Sequence, residues 1–64
     1  MRKNVSTIKQ YDYANEEEYK KDIENMRKQG YIPTSETGLA KIFEAGFVDK
    51  EKTIFTAWFF KSNL

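Results

Sequence analysis

The stretch that most constrains the fold is the C-terminal run 53–61, TIFTAWFFK, which is almost entirely β-branched and aromatic. Read with the two-residue period of a strand, one face carries Ile54, Thr56, Trp58 and Phe60, and the other carries Phe55, Ala57, Phe59 and Lys61. A strand with one solvated side alternates apolar and polar residues, and this one does not. We therefore expect both faces to be covered, with a partner or ligand contributing because the chain is so short.

The length of the chain, 64 residues, predicts a single domain over 1–64. A domain of this size buries a limited core and usually gains support from disulfides, a metal or oligomerisation. The sequence contains neither Cys nor His, so it has no disulfides, and a structural zinc site is not expected. We therefore expect a homo-oligomer, with a dimer as the first choice, and no cofactor.

The overall charge is almost balanced, with 11 basic and 10 acidic residues and a net charge of +1. This balance provides no long-range attraction to nucleic acid or to an anionic membrane. No apolar segment is long enough to span a bilayer, and the N-terminal MRKNVS lacks the apolar region of a signal peptide. We expect a cytoplasmic protein without a membrane partner, acting in the host cytoplasm if it is phage-encoded.

The clearest local signal is a helix over residues 15–29. Asn15 is a good N-cap, and Glu18 three residues later completes a capping-box pattern. One buried stripe is predicted by the i, i+4, i+7 spacing of Tyr19, Ile23 and Met26. Gly30 predicts a left-handed helix stop, after which Tyr31 folds back onto the last turn.

Strands are predicted on both sides of this helix. Residues 5–13 read as a first strand, whose more apolar face is interrupted by Lys9. Residues 31–37 begin a second strand, and Pro33 confines it to an edge of the sheet because proline has no N–H to donate. The polar loop 49–52 between two apolar stretches then predicts a hairpin leading into the last strand.

The segment 39–46 fits two alternatives. It can form a strand face, or a short helix with Thr37 as N-cap and Gly46 as its stop. We favour the strand, because a helix here would leave a sheet of very few strands. The expected fold class is therefore α+β, a small antiparallel sheet in the order β-α-β-β with one helix packed on one face.

Three short motifs resemble those of a family of small bacterial β-α-β-β domains of unknown function. The acidic helix start, the Gly-aromatic step and the basic strand end correspond to residues 16–18, 29–31 and 59–61. Tyr31 stands where that family usually has Trp, and the middle segment 32–45 is longer here. The resemblance implies the same fold and no activity, because the family has none established.

Catalytic chemistry has few candidates in this sequence. Without His and Cys, the commonest general bases, nucleophiles and transition-metal ligands are missing. Gly30, Gly38 and Gly46 are isolated, so they form no phosphate-binding loop. A carboxylate pair of Asp12 with the run 16–18 is conceivable, but acidic residues there are typical of a solvated helix start. We expect the protein not to be an enzyme.

Aromatic and basic residues supply better candidates for a binding site. Planar rings that stack on a base, with cations for phosphate, are how a small sheet binds nucleotides or single strands. We predict a ligand-binding site formed by Tyr31, Lys41, Trp58 and Lys61. Trp58 and Lys61 lie on opposite faces of one strand, so they must meet at the strand end or across a subunit boundary. The alternative is that the rings belong to the core or to a dimer interface.

These features indicate a small, non-enzymatic, oligomeric module that binds or sequesters a small anionic, nucleotide-like ligand or blocks a host protein as an inhibitor. The helix would cover one sheet face and a second copy the other. Small size and a composition rich in Lys, Glu, Asn and Ile also fit an accessory protein of a phage or mobile element. The alternative is a single-stranded nucleic-acid-binding or regulatory protein using an aromatic sheet face; scattered basic residues count against it.

Overall fold

A computed structural model describes all residues from 1 to 64. In chain order it contains β1 (Ser6–Tyr13), α1 (Glu16–Lys28), β2 (Ile32–Pro33), a 3₁₀ turn (Thr34–Glu36), β3 (Gly46–Phe47) and β4 (Phe55–Ser62). One helix and an antiparallel four-stranded sheet make this the small α+β fold that the sequence predicts.

Strand β4 is the centre of the sheet. β1 pairs with it along all eight residues on one side. On the other side β2 pairs opposite residues 59–60, and β3 pairs opposite residues 55–56. The sheet is therefore three strands wide, with β1 at one edge. The central position of β4 explains why its most apolar residues need cover on both faces.

The predicted start of the helix is confirmed. The Asn15 side-chain oxygen accepts the Glu18 N–H at 2.9 Å, and the Glu18 carboxylate accepts the N–H of Ala14 at 2.9 Å. The carboxylate therefore accepts the backbone N–H of the residue before the N-cap. In a standard capping box it would accept the N–H of the N-cap residue itself. Of the predicted stripe, Tyr19 and Met26 are buried, and the third residue is half-buried.

The helix stop is also confirmed. Gly30 has a φ of +89°, in the left-handed region. Its N–H donates to the Arg27 carbonyl at 3.0 Å, and the Tyr31 N–H donates to the Met26 carbonyl at 2.9 Å. These two bonds form a Schellman motif, which reverses the chain and brings Tyr31 back against the sheet.

The core lies between α1 and one face of β4. It consists of Tyr19, Met26, Tyr31, Phe55, Ala57 and Phe59. The Tyr19 ring centroid lies 5.2 Å from that of Phe55 and 6.0 Å from that of Phe59, so the helix docks through aromatic contacts. Each fully buried ring of this kind contributes about 1.5–3 kcal/mol relative to an exposed one.

The hairpin between β3 and β4 is confirmed as well. Val48 N–H donates to the Ile54 carbonyl at 3.1 Å. The Asp49 carboxylate accepts the backbone N–H groups of Thr53 at 2.9 Å and Ile54 at 3.2 Å, and also the Thr53 hydroxyl. That hydroxyl bond, followed by the backbone bonds, lowers the pKa of Asp49 below its ordinary value.

The segment between β2 and β3 differs from the expectation. Residues 38–43 form turns, in which Phe43 N–H donates to the Leu39 carbonyl at 2.9 Å, so the strand favoured for 39–46 is wrong except at Gly46. The reason lies in the register. Pro33 is paired opposite residue 59 and Gly46 opposite residue 56, so the residues between them outnumber the free positions on β4 and must leave the sheet.

Residues 34–45, which we call the excursion, cover part of the second face of β4, the face opposite α1. Thr34 is 1% exposed, and its single hydroxyl proton faces the carbonyls of Phe43 at 2.9 Å and Trp58 at 3.3 Å. The Phe43 ring centroid lies 5.8 Å from that of Trp58. The helix is therefore not the chain's only cover for β4, because a segment without regular secondary structure contributes to the opposite face, where the sequence predicts that a second copy packs.

Candidate functional site

Two lysine ammonium groups meet on one tyrosine ring near one end of the sheet. Lys9 Nζ lies 5.0 Å from the centroid of the Tyr31 ring, and Lys61 Nζ lies 5.6 Å from it. A cation within about 6 Å of a ring centroid is attracted to the negative ring face. We call these three residues the Tyr31 cluster. No other cation–π contact occurs in the chain.

Three different elements assemble the Tyr31 cluster. Lys9 lies in β1 opposite Phe59, and Lys61 lies in β4, so the register makes the two lysines diagonal neighbours on the face that α1 covers. The Schellman motif supplies the ring. The Lys61 stem passes close to Gly30, where an added Cβ would lie 3.4 Å from Lys61 Cε.

The lysines of the cluster have no carboxylate partner. The two ion pairs of the protein are Lys20–Glu16 at 3.8 Å and Arg27–Glu36 at 2.6 Å. The Tyr31 ring is buried, whereas Lys9 is exposed and Lys61 is half-buried. The cluster therefore presents uncompensated positive charge to solvent over a covered ring. The Tyr31 hydroxyl makes no hydrogen bond within the chain and remains free to donate.

The fold sorts further charges to the two ends of the molecule. β1 runs away from the cluster and α1 runs back towards it. At the cluster end lie the last helical residue Lys28 and, just before β1, Arg2 and Lys3. At the far end lie Asp12, Glu16, Glu17, Glu18 and Asp22. The cluster end therefore has an excess of positive charge and the far end an excess of negative charge, with Lys20, Lys21, Lys50 and Lys52 lying among the acidic residues of the far end.

The four predicted site residues are divided between the faces of the sheet. Tyr31 and Lys61 are brought together. Trp58 lies on the opposite face against Phe43, and Lys41 is exposed in the turn two residues before Phe43. Lys9, which joins Tyr31 and Lys61, was not among the predicted site residues. Its position in the middle of an otherwise apolar strand face was the signal that could have found it.

A shallow depression lies elsewhere, at the far end of α1, and is lined by Tyr13, Glu18, Lys21, Asp22 and Asn25. The Tyr13 hydroxyl donates to the Asp22 carboxylate at 2.6 Å. Burial, the hydrogen bond to Asp22 and the charge of that carboxylate raise the pKa of Tyr13 well above its ordinary value. The phenol therefore stays protonated, and its proton is already donated to the Asp22 carboxylate.

Other kinds of site have little support in the geometry. No group of three or more acidic side chains is placed to hold a metal ion. No helix has the length and apolarity that crossing a bilayer requires. We find no match to this chain among protein-family models, curated proteins or solved structures. The resemblance to small bacterial β-α-β-β domains stays a prediction.

Proposed function

We propose that this protein is a small, non-enzymatic binding module that holds a phosphate-bearing anion on the Tyr31 cluster. The observation that carries the proposal is the pair of ammonium groups of Lys9 and Lys61, which lie over one ring with no carboxylate partner. Lysine binds phosphate as a point charge, and charge-assisted hydrogen bonds of this kind are stronger than neutral ones.

The environment of the ring favours recognition of phosphate over recognition of a base. Tyr31 is 7% exposed, so its faces are not free to stack on a nucleobase. Its hydroxyl and the two lysine heads are the groups left to a ligand. A nucleotide or an inorganic polyphosphate would therefore be held through its phosphates, which suits a module that sequesters a class of small anions.

The nucleic-acid alternative has weaker support. The ring with the largest stacking surface, Trp58, packs against Phe43 on the face opposite the Tyr31 cluster. A single-stranded nucleic acid bound on the Tyr31 cluster would therefore contact the protein through its phosphates, without an aromatic ring beside them for its bases. Single-strand binding proteins need both, since stacking supplies about 1–3 kcal/mol per base.

Titration calorimetry tests the anion site directly, with tripolyphosphate, ATP and adenosine as probes. We expect the two phosphate compounds to bind and adenosine not to bind. Lys9→Glu and Lys61→Glu should each weaken binding at least about 10-fold, because each removes a charge-assisted contact. Lys50→Glu is the matched control, since it makes the same charge change on an exposed lysine of the distant hairpin loop.

Two results would contradict this function. The first is an absence of binding by either phosphate compound at low salt. The second is an equal loss of affinity in Lys50→Glu, which would mean that overall charge and not the Tyr31 cluster attracts the anion. If neither phosphate compound binds and a stoichiometric protein is recovered from host lysate, the module is a protein inhibitor, and the site assignment is wrong.

The homodimer expected from the sequence stays part of the proposal, but an interface between two sheet faces has weaker support. Phe43 already packs against Trp58 on the second face. What remains open there includes the cross-strand row of Ile8, Phe60 and Ile32, of which Ile8 is 39% exposed, and Ile54, which is 41% exposed. The unpaired edge of β1 is a second surface that a dimer could use.

A further inference from the structure

Strand β1 has one open edge. It pairs with β4 on one side and with no strand on the other. The Asn63 N–H donates to the Val5 carbonyl at 2.9 Å, which fixes the odd-numbered residues as those bonded to β4. The backbone N–H and C=O groups that point outward are therefore those of Ser6, Ile8, Gln10 and Asp12.

The edge lacks most of the devices that proteins use to block such strands. Short length, proline, a bulge and edge charges are the usual ones. β1 is eight residues long, contains no proline and pairs with β4 without interruption. It carries two charged side chains: the exposed Lys9, whose ammonium lies 5.0 Å from the centroid of the Tyr31 ring, and Asp12, whose carboxylate accepts the Thr56 hydroxyl at 2.6 Å.

Charge determines which occupant fits this edge. Unpaired basic residues are in excess where β1 begins, and acidic residues, among them 16–18 and Asp22, are in excess where β1 ends, where Lys21, Lys50 and Lys52 also lie. An antiparallel second copy would place the basic end of each chain beside the acidic end of the other. A parallel copy would bring like charges together, which is unfavourable.

We propose that two copies of this chain join edge to edge through β1, antiparallel, about a two-fold axis perpendicular to the sheet. This is an isologous interface, so each contact occurs twice. The two sheets become one continuous sheet with both helices on the same face. The pairing does not depend on the anion site, since the outward groups are backbone groups of the even-numbered residues.

Analytical ultracentrifugation tests the pairing with three proteins. The wild type should sediment at twice the chain mass of 7.6 kDa. Gln10→Pro removes an outward N–H and leaves the bonds to β4 in place, because proline is tolerated where the N–H faces solvent. It should raise the dissociation constant at least about 30-fold, since the contact is lost twice. Gln10→Thr keeps the N–H and should remain dimeric.

Amide exchange of the wild type provides a second measurement that needs no variant. The Ile8 and Gln10 amides should become protected as the protein concentration rises, whereas those of Lys9 and Tyr11 are protected at every concentration. A monomer at about 1 mM, or even-numbered amides that exchange equally fast at every concentration, would overturn the proposal. A dimer that persists in Gln10→Pro would also overturn it, because another surface would then hold the copies together.

Discussion

Replacing Gly30 by alanine tests whether the helix stop organises the fold. The residue has a φ of +89°, and the two hydrogen bonds of the Schellman motif depend on that conformation. A residue with a Cβ pays a conformational penalty in the left-handed region, because the Cβ approaches the following carbonyl. The stop also positions Tyr31, so the strain arises beside both the core and the Tyr31 cluster.

The magnitude follows from two opposing effects. Left-handed geometry costs a non-glycine residue about 1–2 kcal/mol, and alanine recovers about 0.4–1 kcal/mol by restricting the unfolded chain. The added methyl would lie 3.4 Å from Lys61 Cε, an ordinary contact with a flexible side chain, so no steric cost is added. The net loss is about 1 kcal/mol. For a chain of 64 residues this corresponds to a melting temperature lower by about 7 °C.

Thermal unfolding followed by circular dichroism measures the difference, with Gly38→Ala as the matched control. A Cβ at Gly38 meets nothing within 4 Å, and its φ lies outside the left-handed region. The control should therefore melt at the wild-type temperature or slightly above it. Gly30→Asn should recover part of the loss, because asparagine tolerates this conformation better than alanine does. Equal melting temperatures for Gly30→Ala and Gly38→Ala would refute the reasoning.

Two further predictions concern the connections around β4. Thr34→Val keeps the buried shape but leaves two carbonyls without the hydroxyl, so urea denaturation should show a loss of about 1–3 kcal/mol; exposed Ser35→Ala should change stability by less than about 0.5 kcal/mol. Because the folded pKa of Asp49 is lowered from 3.8, its stabilisation is present above that pH and is lost as the pH falls through the folded pKa. Asp49→Asn should flatten this acid dependence, whereas Glu51→Gln in the same loop should not, and equal acid slopes in wild type and Asp49→Asn would contradict the assignment.

The elements predicted correctly are those whose signals are local. Asn15 and Glu18 form the helix start within a few residues of each other, and Gly30 ends the helix by its own backbone conformation. The two faces of β4 follow from a period of two residues, which any extended chain obeys. In each case the deciding interaction or pattern involves residues that are close together in the sequence, so the sequence contains the necessary information.

The excursion after Pro33 could not be predicted in the same way, because its cause is not local. Whether its residues form a strand depends on how many positions β4 has left, and that number is set by where Pro33 and Gly46 pair. The hydroxyl of Thr34, which bonds Phe43 and Trp58 across this gap, gives no sequence signal of its own. A buried threonine in a Thr-Ser-Glu-Thr run looks like any other loop residue.

The Tyr31 cluster depends on the same kind of non-local information, and so does the balance of charge. Tyr31 and Lys61 were chosen for their chemistry, but Lys9 joins them only through the register of β1 on β4. A net charge of +1 predicts no long-range attraction to nucleic acid or to an anionic membrane, but it does not say where the charges lie. A strand followed by a returning helix places the acidic helix start at one end and the basic helix end at the other. The electric field near a surface depends on where charges lie, so a nearly neutral chain can still have one end with an excess of positive charge and another with an excess of negative charge.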